Sequence, residues 1–120
     1  MTGMTIQCAG NRSAMATLSE LLTNMPADRQ PVAAAVAALA AVAADLSATI
    51  RRADATAQLG AVRGSANADG DDQKKLDVLA DEMIASALAD CVGVAAYLSE
   101  ERDDAVALHD GGDVIVASDP

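Results

Sequence analysis

The sequence predicts an α/β fold in which helices come first and short antiparallel strands follow. Three observations carry this. Apolar residues recur at spacings of three and four over residues 30–52 and again over 72–90, the period of a helix with one buried face. From residue 93 onward the apolar residues fall instead into short runs, "GVAAYL", "AVALH" and "DVIVAS". These runs are separated by "SEERDD" and "DGG", polar and Gly-rich connections of hairpin type. The length of 120 residues suits one domain or a piece of a larger one.

Taken in order, residues 14–24 predict a short helix, broken at Met25 because Pro26 disfavours helical geometry in the residue before it. A second helix spans 30–52, with Pro31 in its first turn, where a missing N–H costs nothing. Its expected stripe is Val32, Val36, Leu39, Ala43, Leu46 and Ile50, and Arg51 and Arg52 complement the negative end of its dipole. Residues 53–70, "ADATAQLGAVRGSANADG", predict a long mobile loop, a length uncommon in compact domains unless functional. A calcium-binding EF-hand does not fit: with Gly70 at the sixth loop position, Leu76 falls where a bidentate Glu is required.

The third helix spans 72–90, capped by Asp71 or Asp72, with an apolar stripe of Leu76, Leu79, Ala80, Met83, Ile84 and Ala87. Asp77 falls on the shoulder of this stripe, beside Ile84 and Leu88, where a carboxylate is partly desolvated. Lys74 and Lys75 point away, and Asp72, Asp81 and Glu82 read as solvated charges. The strands follow at 93–98, 105–109 and 113–118. In a three-stranded meander the first and third run parallel, so Glu100-Glu101 and Asp119 arrive at one edge of the sheet. His109 reads as an exposed turn residue.

Composition narrows the function classes. Hydrophobic content is 52%, yet there is no Phe or Trp and only Tyr97 among the aromatics. Alanine supplies much of the apolar count and buries little area per residue, so the chain is expected to lean on something beyond itself. A net charge of −10 disfavours nucleic acid and anionic membrane surfaces and suits a protein that gathers divalent cations, although it also serves plain solubility. Cys8 and Cys91 have no zinc or CxxC spacing and read as reduced cytosolic thiols. The first residues lack the pattern of a signal peptide, and the charge-free run 31–44 is too short for a membrane span.

The acidic residues carry the chemistry. Two carboxylates ~4 Å apart repel by about 4 kcal/mol at an effective dielectric of 20. Gathering Glu100, Glu101, Asp119 and Asp71 therefore calls for protonation or for a divalent cation between them. An all-oxygen set points to Mg²⁺ or Mn²⁺, and Mg²⁺ commonly shares its shell with substrate phosphates.

The blocks "GDDQKKLDVLADEM", "YLSEERDDA" and "VIVASDP" occur in an order and at distances that resemble the N-terminal part of class 1 fructose-1,6-bisphosphatases. The likeness is close over residues 64–120 and holds only in pattern for the earlier helices. The last block stops after Asp119-Pro120, where the family continues Leu-Asp-Gly-Ser-Ser, so the chain resembles the first third of such an enzyme. The resemblance implies a layered α/β/α/β/α fold and hydrolysis of fructose 1,6-bisphosphate to fructose 6-phosphate and phosphate with Mg²⁺ or Mn²⁺. It also implies a cytoplasmic homotetramer in gluconeogenic or Calvin-type carbohydrate metabolism, binding neither nucleic acid nor membrane. By matching motif, Glu100, Asp119 and Asp71 would be metal ligands. Asp77 and Glu101 would orient and deprotonate the attacking water, and the segment before Gly70 would move over the site. A sedoheptulose-bisphosphatase or inositol-phosphatase-like relative, or a non-catalytic acidic interaction domain, are the alternatives. Where many members bind inhibitory AMP, this sequence has "ADRQPVAA" and Asp113-Val114, which removes the expected phosphate-binding groups.

Overall fold

The computed structural model describes residues 15–59 and 66–120, apart from the side chains of 56–59, 66–69 and 71. Cys8, the expected helix start at Ala14 and part of the expected loop lie outside the described residues. Helix α1, Leu18–Thr23, opens on a capping box: Thr17 accepts from the Glu20 N–H, and Glu20 accepts from the Thr17 N–H at 2.8 Å. A 3₁₀ turn, Ala27–Arg29, leads into α2, Gln30–Leu59. Helix α3 runs from Ala66 to Ala89. Strands β1 (Val94–Ser99), β2 (Val106–Ala107) and β3 (Val114–Ser118) form one sheet.

Two expectations about the middle of the chain need correction. Of the segment 53–70, residues 53–59 continue α2 and 66–70 already belong to α3. Alanine and straight-chain residues such as Gln58 and Leu59 favour helix strongly enough to outweigh the weak apolar periodicity. Asp71 and Asp72 consequently lie inside α3 rather than at its cap.

The sheet is mixed, in the order β2-β1-β3, and not an antiparallel meander. β1 pairs antiparallel with β2 (Ala96↔Ala107, Tyr97↔Val106) and parallel with β3 (Leu98↔Ala117, Ser99↔Ser118). The "DGG" segment is thus a strap that carries the chain past the start of β1 and not a hairpin turn. Gly112 makes this passage possible: a Cβ there would come within 2.6 Å of the Gly93 carbonyl oxygen and 2.7 Å of the Ala95 nitrogen.

The core lies between α2, α3 and one face of the sheet. Ala35, Leu88, Val94 and Tyr97 are buried, with Leu39, Ile84, Val106, Val114 and Val116 packed around them. Val94 and Tyr97 are three residues apart and would face opposite sides of a regular strand. A register shift between Val94 and Ala96 turns both inward. On α2 the inward positions are Ala35, Leu39 and Val42, while Val32, Val36 and Ile50 are partly exposed, so the packed stripe is rotated from the expected one. Between Ala27 and Ala55 the chain is long and apolar enough, by length and composition, to cross a membrane. The shortness of the charge-free run therefore does not decide that question. A core helix meets the same criterion, and α2 carries core residues.

Candidate active site

Helix α3 faces the sheet with a row at spacings of four, three and four: Asp77, Asp81, Ile84 and Leu88. Its inner end is apolar, and Leu88 is fully buried. Its outer end is acidic. Asp77 is half-buried, as its place on the shoulder predicts, and accepts from Gln73 Nε2 at 3.2 Å.

Asp81 corrects the sequence reading. It is buried, with 4% of its surface exposed, and is no solvated charge. Its Oδ1 accepts from the Tyr97 hydroxyl at 3.0 Å, and its Oδ2 accepts from Arg102 Nε at 2.7 Å. The Ser99 side chain also favours the ionised form of this carboxylate. Burial pushes the Asp81 carboxyl up, but the Ser99 side chain, the hydrogen bonds from Tyr97 and Arg102, and the Arg102 charge outweigh it and hold the group below the usual aspartate range. Since Tyr97 gives its proton to a carboxylate, the 2.9 Å contact between Tyr97 and Ser118 is a donation from the Ser118 hydroxyl to the phenolic oxygen. Position alone could have signalled Asp81: it is four residues past Asp77 and three before Ile84.

The parallel pairing of β1 and β3 does what the sequence expected of a meander, and more directly. The last register pair, Ser99↔Ser118, leaves Glu100 and Asp119 as the next residue on each strand. Beyond the strands, the Glu100 N–H still donates to the Ser118 carbonyl at 3.1 Å. The chain then turns tightly: Arg102 N–H donates to the Ser99 carbonyl and Glu101 N–H to the Ser99 hydroxyl, each at 3.1 Å. This turn sets the Glu101 carboxylate against its neighbours. Partial desolvation first, then the charges of Glu100 and Asp77 and a hydrogen bond shared with Glu100, push the Glu101 carboxyl above the usual glutamate range; Lys74 offsets this only in part. Lys74 therefore stands closer to the acidic group than its place on the outer helix face suggests.

Among the described residues no three acidic, His or Cys side chains converge as a ready metal cage. Asp71 lies in α3, and its side chain is outside the described residues. The donor set present is a crowded Glu100–Glu101 pair with Asp77 close by and Asp119 at the adjacent strand end. Such a set fits Mg²⁺, which is held by one or two carboxylates and completes its shell with water and phosphate oxygens. His109 is not part of it: its Nε2 meets the Ala89 carbonyl at 2.8 Å, at the C-terminal end of α3. Cys91, half-buried, is a free thiol.

Residues 16–120 match the family described as "Fructose-1-6-bisphosphatase, N-terminal domain". A class 1 fructose-1,6-bisphosphatase from Bradyrhizobium sp. is 44% identical over 104 residues, covering 87% of this chain and 30% of the relative. One from Shewanella amazonensis is 40% identical over 106 residues, covering 88% and 32%. One from Rhodopseudomonas palustris is 45% identical over 92 residues, covering 77% and 26%. The chain thus spans about a third of the length of the curated relatives it matches. No solved structure matches it.

Proposed function

This chain belongs to the fructose-1,6-bisphosphatase family, and from that premise we propose that it serves the metal-dependent hydrolysis of the 1-phosphate of fructose 1,6-bisphosphate, giving fructose 6-phosphate and phosphate. The observation that carries this reading is the junction of two strand ends. Ser99↔Ser118 and the hydrogen bond from Glu100 to Ser118 set Glu100 beside Asp119, while the next turn presses Glu101 toward Glu100 and Asp77.

Glu100 and Asp119 are the residues that would hold Mg²⁺ or Mn²⁺, with Asp71 as a further ligand. The bound ion would neutralise charge on the transferring phosphoryl group. Glu101 and Asp77 then have the work of a base. A carboxyl held above the usual glutamate range accepts a proton more readily than an ordinary glutamate, and Asp77 supplies a second acceptor to fix the orientation of the water. Ser99 holds the Glu101 backbone by its hydroxyl, so the base is placed by the strand end itself. Lys74 supplies a nearby positive charge on the exposed side.

The complete protein is expected to act as a cytoplasmic homotetramer in carbohydrate metabolism, without nucleic acid or membrane partners. The test is a substrate panel. Phosphate release is measured with fructose 1,6-bisphosphate, sedoheptulose 1,7-bisphosphate and inositol monophosphate under a Mg²⁺ titration. Preferred, Mg²⁺-dependent release from fructose 1,6-bisphosphate supports the assignment; preference for either of the others replaces the substrate, and no release from any of them removes the phosphatase reading.

A further inference from the structure

We infer that Asp81 is a positioning residue, one that fixes both strand ends of the acidic site against α3 through its hydrogen bonds from Tyr97 and Arg102, and so sets the metal affinity of Glu100 and Asp119. This rests on the metal-site reading above. Each donor to Asp81 leads to a different part of that site. Arg102, 2.7 Å away, is the residue after Glu101. Ser99, whose side chain also favours the ionised Asp81, precedes Glu100 and accepts the Glu101 N–H at 3.1 Å. Tyr97 takes a hydrogen bond from Ser118, the residue before Asp119. Asp81 itself stands one helical turn after Asp77 on the same face of α3. One carboxylate therefore ties together the segments that carry Glu100, Glu101, Asp119 and Asp77.

Stability alone does not account for this arrangement. Burying a carboxylate is unfavourable unless it is paired and hydrogen-bonded, and an apolar side chain at such a helix position commonly packs as well. An apolar residue would leave the Glu100–Arg102 turn without this anchor, since the one-third-exposed Arg102 side chain is held in an ion pair with Asp81. What the carboxylate adds is a fixed geometry: each of its two oxygens receives a donor, one from Tyr97 and one from Arg102, each leading to a different part of the acidic site. Residues that hold metal ligands in place are felt as metal affinity, with losses typically about 10–100-fold on mutation.

The complete protein is titrated with Mn²⁺, and the free ion is followed by electron paramagnetic resonance. Melting temperature and the KM for fructose 1,6-bisphosphate are measured alongside. Asp81→Asn should weaken Mn²⁺ binding by about 10–100-fold with KM unchanged. In that variant one of the two ends loses its acceptor: either the amide N–H₂ meets the Arg102 Nε–H donor to donor, or it turns onto the Tyr97 hydroxyl, which can then no longer donate to position 81. Adding Arg102→Gln allows an amide–amide hydrogen bond and should recover part of the affinity. Wild-type Mn²⁺ affinity in Asp81→Asn, or a loss that only follows the unfolded fraction with no recovery in the double variant, overturns the inference and leaves the functional reading intact. Absence of saturable Mn²⁺ binding by the wild-type protein overturns that reading, and the inference with it.

Discussion

The Glu100 N–H donates to the Ser118 carbonyl at 3.1 Å, one residue beyond the last paired position of β1 and β3. This single bond couples the two acidic strand ends. It requires that β1 and β3 be parallel neighbours, and it makes the spacing of Glu100 and Asp119 a property of the sheet rather than of a loop.

The acidic groups should separate by role. In the complete enzyme, Asp77→Ala and Glu101→Ala should each lower kcat by at least about 10²-fold, the scale of a lost general base. Glu100→Ala should mainly raise the Mg²⁺ concentration for half activity. Steady-state kinetics at several Mg²⁺ concentrations checks this; near-normal kcat in both base variants returns Asp77 and Glu101 to surface charge.

Asp81 gives stability a defined pH dependence. Its carboxyl titrates near about 3.9 when unfolded and lower when folded, so its contribution is complete above the unfolded value. It is lost as pH falls through that value toward the folded one. Thermal melts of wild type and Asp81→Asn should differ most above about pH 5 and converge as pH falls below about 4. The partly exposed Arg102 limits the size of the effect through solvent screening. A gap between the two melts that stays constant with pH excludes an ionised, hydrogen-bonded Asp81.

Packing makes a contrast between helix positions. Leu88 is fully buried, and Leu88→Ala should cost about 2–5 kcal/mol. Val36 is 36% exposed although it falls on the stripe that periodicity alone predicts, and Val36→Ala should cost well under that range. Urea unfolding of both variants decides; equal losses would restore the unrotated stripe.

AMP should not inhibit at micromolar concentrations. Asp113, exposed at the start of β3, brings a negative charge where many members of the family carry a lysine, and Val114 has no side-chain donor for a phosphate. Inhibition assays on the complete enzyme test this, and micromolar inhibition would mean that other residues form the effector site.

The parts of this fold that were legible in the sequence are those set by period. The two long helices and the three short strands lie close to where period places them, as does the half-buried Asp77, although the packed stripe of α2 is rotated and both helices extend into the segment that reads as a loop. What was not legible turned on weaker signals. Alanine and glycine around residues 53–70 suggested a loop because they give little periodicity, yet alanine is the best helix former. The Gly111-Gly112 pair suggests a hairpin by composition, and only the close approach of Gly112 to Gly93 and Ala95 distinguishes a crossing strap. Asp81 reads as a solvated charge because an acidic residue in a helix is usually exposed. Its partners Ser99, Tyr97 and Arg102 lie on the next elements, and nothing local announces them.

A polypeptide of residues 1–120 should not turn over substrate by itself. The described residues bring together a carboxylate pair with one neighbour and no complete metal cage, and the relatives are about three times as long. Groups that orient the sugar and stabilise the transferring phosphoryl are needed as well. Phosphate release by this polypeptide should equal buffer with and without Mg²⁺.

The most direct test of the central claim, that Glu100 and Asp119 at the paired strand ends hold the metal for phosphate-ester hydrolysis, is phosphate release from fructose 1,6-bisphosphate by the complete enzyme across a Mg²⁺ titration. Wild type is compared with Glu100→Gln and Asp119→Asn. The account predicts Mg²⁺-dependent release by wild type, abolished by chelation, with the half-saturating Mg²⁺ concentration raised about 10-fold or more in both variants. Release that persists in chelator, or variants with the wild-type Mg²⁺ response, would contradict it.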